Sequence, residues 1–139
     1  MRISKEEMCM QMAEVVSKRS TCERLHVGAI ITDEHMTNIF AFGYNGNYAG
    51  GPNTCDSDQP GGCGCLHAEA NALAKPCPVT ERVLFVTDSP CLMCSKLIIN
   101  SGVKKVYFDR EYRITDGLEL LSSAGIKTIK VNMQKQFIV

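Results

Sequence analysis

The chain has 139 residues, and its 15 lysines and arginines balance 15 aspartates and glutamates. That length suits one domain over residues 1–139 with a real core, and zero net charge leaves no global field to draw in a polynucleotide or a membrane surface. No apolar run approaches the roughly 18 residues of a membrane span, and the charged start Met1-Arg2-Ile3-Ser4-Lys5-Glu6-Glu7 has no apolar signal core. Eight cysteines in such a chain read as metal ligands and reduced thiols, which sets the expectation of a cytoplasmic protein.

Ser4-x-x-Glu7 is a capping box, and Met8, Met12, Val15 and Val16 form an apolar stripe behind it, predicting a helix over about 4–18. The run 27–32 reads as a buried strand, Asp33-Glu34-His35 as a turn, and 38–44 as the returning strand of a hairpin. His35 in that turn is assigned to solvent. From Gly43 to Gly64 the chain is rich in glycine, carries Cys55 and Cys63, and follows neither a helical nor a strand period. A loop this long in a compact domain is usually functional or tied by metal.

Next comes a helix over 67–74, broken by Lys75-Pro76-Cys77-Pro78. A strand over 82–87 leads into a helix from Cys91 to about Ser101, stopped by Gly102. A strand follows over 103–108. Thr115 or Asp116 caps a helix with Leu118, Leu121 and Ala124 inward, and the last strand spans 126–131. Strands alternating with helices require parallel pairing, and the opening hairpin makes the sheet mixed. The fold class expected is α/β, a three-layer α/β/α domain on a five-stranded mixed sheet.

Two short stretches carry the chemistry: His67-Ala68-Glu69, and Pro90-Cys91-Leu92-Met93-Cys94. A catalytic zinc site keeps three protein ligands and an open position for water. His67, Cys91 and Cys94 supply three ligands, and Glu69 stands two residues from the histidine, placed to handle protons. Ser89-Pro90 reads as the N-cap and first turn of the second helix. Both cysteines then lie on one face at its positive end, which favours thiolates. The competing reading is a structural zinc site with a fourth protein ligand such as Cys65. Cys9 and Cys77 read as ordinary small packing residues.

His67-x-Glu69 with Pro90-Cys91-x-x-Cys94 resembles the cytidine deaminase superfamily. Further stretches, Ser20-Thr21-Cys22-Glu23-Arg24, Gly43-Tyr44-Asn45-Gly46, Ala49-Gly50-Gly51, Ala68–Ala72 and Ser101-Gly102-Val103, resemble its deoxycytidylate (dCMP) deaminase branch. The similarity runs over about 4–131. It implies a cytidine-deaminase-like fold and zinc-dependent hydrolytic deamination of dCMP to dUMP, with Glu69 as the proton shuttle. It also implies substrate contacts from Arg24, Asn45, Ala68, Tyr112 and Arg113, with Arg110 left to solvent. Some relatives carry a second zinc, for which Cys22, Cys55, Cys63 and Cys65 could supply four thiolates here, with His26 as a substitute ligand. The resemblance implies activation by dCTP and inhibition by dTTP, with Mg2+ on the triphosphate, at Gly43, Tyr44, Asn45 and Gly46. It further implies a homo-oligomer, a hexamer, with no membrane or nucleic-acid partner.

The alternative within the same superfamily is an RNA adenosine deaminase, which shares both motifs but calls for a basic face that the balanced charge does not offer. A zinc scaffold without catalysis would usually lack the glutamate.

Overall fold

The computed structural model describes residues 2–59 and 62–133. Its elements are α1 (Lys5–Ser17), β1 (Gly28–Asp33), β2 (Ile39–Tyr44), α2 (Ala68–Leu73), β3 (Arg82–Asp88), α3 (Leu92–Ser101), β4 (Val103–Arg110), α4 (Asp116–Ser123) and β5 (Lys127–Lys130). One sheet runs in the order β2-β1-β3-β4-β5. β1 is antiparallel to both β2 and β3, while β3–β4 and β4–β5 pair in parallel. The hairpin and the crossovers read from the sequence thus give the expected mixed sheet.

Alternation along β3 explains the layering. Val83 and Phe85 pack with Cys9, Met10 and Ala13 of α1, whereas Leu84 and Val86 pack with Ala68, Ala72, Ile98 and Leu121 of α2, α3 and α4. Period-two side chains therefore feed two cores, one on each face of the sheet. Each fully buried aliphatic or aromatic side chain contributes about 1.5–3 kcal/mol, so both faces hold strongly. Among the described residues no helix is long and apolar enough to cross a membrane.

The Ser4 half of the capping box forms, with the Glu7 N–H donating to Ser4 Oγ at 3.0 Å, while the Glu7 carboxylate accepts from Gln11 Nε2. The helix behind it is rotated from its expected face. Met8, Met12 and Val15 are exposed, Val16 alone of the expected stripe packs against the core, and Cys9, Met10, Ala13 and Ser17 are buried. The reason is close approach: a Cβ on Gly28 would lie 2.1 Å from the Ala13 carbonyl, so α1 rests on the sheet through small residues. Long side chains at Ala13 or Ser17, the two residues over Gly28, would hold it off. Ala124, expected inward, is exposed just past α4, while Leu121 is fully buried. The tail assigned no structure, 134–139, lies outside the described residues.

Candidate active site

Both motifs lie at helix starts, and each start is fixed by a different device. α3 begins four residues after β3 ends, and Cys91 rather than Ser89 is its N-cap: the Cys91 thiol accepts from the Cys94 N–H at 3.4 Å. Sulfur reaches farther than a serine oxygen, which lets the ligand itself take the cap. The 45–67 loop reaches α2 through a two-residue bridge in which Gly46 and Leu66 exchange N–H···O=C bonds of 3.1 and 2.7 Å. His67 follows that bridge directly, as the N-cap residue of α2.

His67 Nδ1 lies 3.3 Å from Cys94 Sγ and 3.4 Å from Cys91 Sγ. A tetrahedral zinc with bonds of about 2.3 Å to sulfur and about 2.0 Å to nitrogen sets its ligand atoms about 3.5 Å apart, so these three side chains fit that ion. The pair of thiols is polarised: hydrogen bonds from Cys94 and His67 hold Cys91 down at about 4, while Cys94, beside that thiolate and buried, is pushed up. Cys91 is therefore a ready anionic ligand.

Glu69 sits one residue into α2, 4% exposed, and burial pushes its carboxyl up to about 7. Among the described residues no side chain hydrogen-bonds that carboxyl, so its oxygens remain for whatever enters the site. A carboxyl poised near neutrality, with no side chain bonded to it, is suited to carrying protons in both directions. Glu69 stays outside the ligand set, as does Cys65, and the four-protein-ligand reading loses its fourth member.

Cys65 belongs to a second group. The sulfurs of Cys22, Cys55, Cys63 and Cys65 all lie within 4.8 Å of one another. Cys22 and Cys55 are 3.8 Å apart, and Cys55 and Cys65 3.7 Å. Four thiolates around zinc at about 2.3 Å are spaced by about 3.8 Å, so this cluster also fits a tetrahedral ion.

A cavity of about 450 Å³ joins the two groups. His67, Glu69 and Cys91 lie on its wall, with Cys22, Cys63 and Cys65 from the thiol cluster. Arg24 and Tyr112 line it as expected; Arg113 does not, and stands exposed beyond it. Ala68 lines it from the first turn of α2, where the N–H has no intrahelical acceptor. Leu25, Asp88, Ser89 and Ile114 line it too. The position of Asp88 and Ser89 directly before Pro90 was the available signal for those two; Ile114 had none.

Asn45 also lines the cavity, yet its amide is engaged at both ends. Oδ1 accepts from the Val27 N–H at 2.9 Å and Nδ2 donates to the Leu25 carbonyl at 2.6 Å. It shapes the segment that carries Cys22 and Arg24. Gly43 and Tyr44 end β2 rather than forming a loop, and a Cβ on Gly43 would lie 2.4 Å from the Ala68 carbonyl. The N–H groups of Asn45 and Gly46 donate to Val27 and Leu66. Two of the backbone donors assigned to an effector triphosphate are thus satisfied inside the fold.

Arg110, assigned to solvent, is exposed and stands off the cavity; on the surface it also meets Asp88 Oδ1 at 3.1 Å, Glu14 of α1 at 2.9 Å and Asp109 at 3.2 Å. His35 is solvent-exposed, Cys9 is fully buried, and Cys77 packs at the core edge.

Comparison with known proteins agrees with this geometry. Residues 3–110 match the family model described as the cytidine and deoxycytidylate deaminase zinc-binding region. The chain is 34% identical over 153 residues to ComE operon protein 2 of Bacillus subtilis, covering 99% of this chain and 76% of that protein. It is 36% identical over 124 residues to the deoxycytidylate deaminase of Mycobacterium phage D29, covering 76% of this chain and 94% of the phage protein. The crystal structure of dCMP deaminase from the cyanophage S-TIM5, in complex with dCMP and dUMP, superposes with a TM-score of 0.82 at 39% identity, over 94% of this chain and 99% of that one. Matching in its two motifs, in its five-stranded α/β fold and along most of its length, the chain belongs to the cytidine and deoxycytidylate deaminase family.

Proposed function

We propose that this chain hydrolyses dCMP to dUMP and ammonia, with zinc held by His67, Cys91 and Cys94. One observation carries the reading: a buried Glu69 whose carboxyl has no side-chain partner among the described residues stands beside the three-ligand group in a cavity whose wall also holds Arg24 and Tyr112. When bound, zinc supplies Lewis-acid activation of a water. Glu69 takes one proton from the attacking water and delivers it to ring N3 as the oxygen adds at C4. It then takes the remaining proton of the new C4 hydroxyl and passes it to the amine as the C4–N bond breaks, leaving the C4 carbonyl of dUMP and ammonia. The N–H of Ala68 offers a donor to the base. Arg24 supplies a guanidinium fork to the 5′-phosphate, and Tyr112 a ring and a hydroxyl.

The second zinc belongs to the same proposal, held by Cys22, Cys55, Cys63 and Cys65, with Arg24 two residues from one of its ligands. So does control by dCTP and dTTP with Mg2+ in a homo-oligomer, a hexamer. Because the Asn45 and Gly46 donors are already bonded, effector phosphates at Gly43–Gly46 need side chains or a rearranged loop. Saturation curves for dCMP with each triphosphate and magnesium test this: opposite shifts support control, and simple competition by dTTP rejects it.

The balanced charge favours a mononucleotide over RNA. The deciding experiment is to incubate zinc-loaded protein with dCMP, deoxycytidine and an adenosine-containing RNA stem-loop and to follow ammonia. Release from dCMP supports the proposal; release from the RNA alone overturns it.

A further inference from the structure

β3 and β4 are parallel neighbours, and their last paired residues are Asp88 and Arg110. Beyond that pair the chains part. One enters Ser89-Pro90-Cys91 and the metal-ligating turn, while the other becomes the 111–115 segment that brings Tyr112 and Ile114 to the cavity wall. The parting ends remain tied. The Ser89 N–H donates to the Arg110 carbonyl at 2.9 Å, which extends the ladder by one bond. Ser89 Oγ then accepts from the Tyr112 N–H at 2.7 Å. Beneath them Arg110 bridges Asp88 of β3 and Glu14 of α1.

The serine bond has no task in secondary structure. The cap of α3 is supplied by Cys91, and the sheet ends at Arg110. Tyr112 is 37% exposed, so water can serve its N–H if the serine does not. Ser89 is 5% exposed, and its hydroxyl is held in place by the packing around it. What the bond fixes is a distance: it sets the backbone of Tyr112 relative to a residue two positions from the metal ligand Cys91.

We propose that Ser89 is a positioning residue whose hydroxyl locks the Tyr112 segment, and with it the phosphate-side wall of the cavity, to the metal-ligating turn. The inference rests on the dCMP reading above. A phosphate held by Tyr112 and Arg24 needs that wall at a set distance from the reacting carbon. A nucleoside without phosphate does not.

The test compares Ser89→Ala and Ser89→Thr with the parent protein, all zinc-loaded, using dCMP and deoxycytidine. Ser89→Ala is expected to raise KM for dCMP about three- to tenfold, the fold-change of one lost hydrogen bond. Its kcat should stay within about twofold and its deoxycytidine kcat/KM should be unchanged. Ser89→Thr, which keeps the hydroxyl, should restore KM. Amide hydrogen exchange at Tyr112 gives a readout independent of substrate: protection falls in Ser89→Ala and returns in Ser89→Thr. Equal losses on both substrates would overturn the proposal by making the hydroxyl a direct contact to the nucleoside. A lower melting temperature with unchanged kinetics and unchanged Tyr112 exchange would overturn it as well. Failure of the parent to act on dCMP would reject the dCMP reading instead, with the Tyr112 exchange still deciding whether Ser89 anchors the segment.

Discussion

Replacing Glu69 by Gln keeps side-chain volume and removes the proton shuttle. General acid–base catalysis by one group is worth about 10²–10⁴ in rate, and Glu69 serves more than one transfer, so kcat should fall by at least about 10³. The same substitution should stabilise the metal-free fold. Burial raises the Glu69 carboxyl from 4.5 to about 7. A carboxyl raised by folding is a cost that begins as pH climbs past the unfolded value and is complete above the folded one. Over about 2.5 units that cost reaches about 3 kcal/mol near pH 8 in metal-free protein, at about 1.4 kcal/mol per unit. Glutamine carries no such charge. The assay pairs ammonia release with zinc content and with denaturant unfolding of metal-free protein at pH 5 and pH 8. The expected result is full zinc occupancy, activity near background, and a stability gain at pH 8 that shrinks at pH 5. Zinc loss together with a less stable fold would refute the reasoning by making Glu69 a structural ligand.

Other substitutions separate the remaining parts of the site. Arg24→Ala should reduce kcat/KM for dCMP about 10- to 100-fold, the worth of a charge-assisted phosphate contact, with little change on deoxycytidine. Arg113→Ala, outside the cavity, should change both by less than about twofold, and kinetics on dCMP and deoxycytidine check both variants. Metal analysis should find two zinc ions per chain, with one lost in Cys63→Ser while dCMP turnover persists at reduced efficiency. One zinc in fully metallated parent protein would remove the second site. Gly117→Ala should destabilise the fold by about 1–3 kcal/mol, read by denaturant unfolding, because its Cβ would lie 2.1 Å from the Pro90 carbonyl and 2.7 Å from the buried Ser95 hydroxyl.

The metal group was legible because its three ligands lie in two short motifs whose spacing already implies helix starts. Element order was legible because strand and helix periods alternate cleanly after residue 80. The face of α1 was not: hydropathy ranks Met8 and Met12 above Ala13 and Ser17, yet the close packing over Gly28 selects small residues. Arg110 is exposed as expected, but its pairing with Glu14 was not legible, because that partner lies 96 positions away, a separation no local pattern encodes. Asn45 stands where the family resemblance put it, beside the cavity. Only the coordinates show that its amide is bonded to Val27 and Leu25. Ser89 looked like a cap because serine before a helix usually is one; the thiol of Cys91 took that role and freed the hydroxyl for Tyr112.

The central claim is that one cavity joins the His67–Cys91–Cys94 centre to a wall that reads a 5′-phosphate. It is tested most directly by the ratio of kcat/KM for dCMP to that for deoxycytidine, measured on zinc-loaded protein at one ionic strength. The account predicts stoichiometric ammonia and dUMP from dCMP, with deoxycytidine at least about 100-fold poorer, the value of a charge-assisted phosphate grip of about 3 kcal/mol. Equal turnover of the two, or none of dCMP, would contradict it.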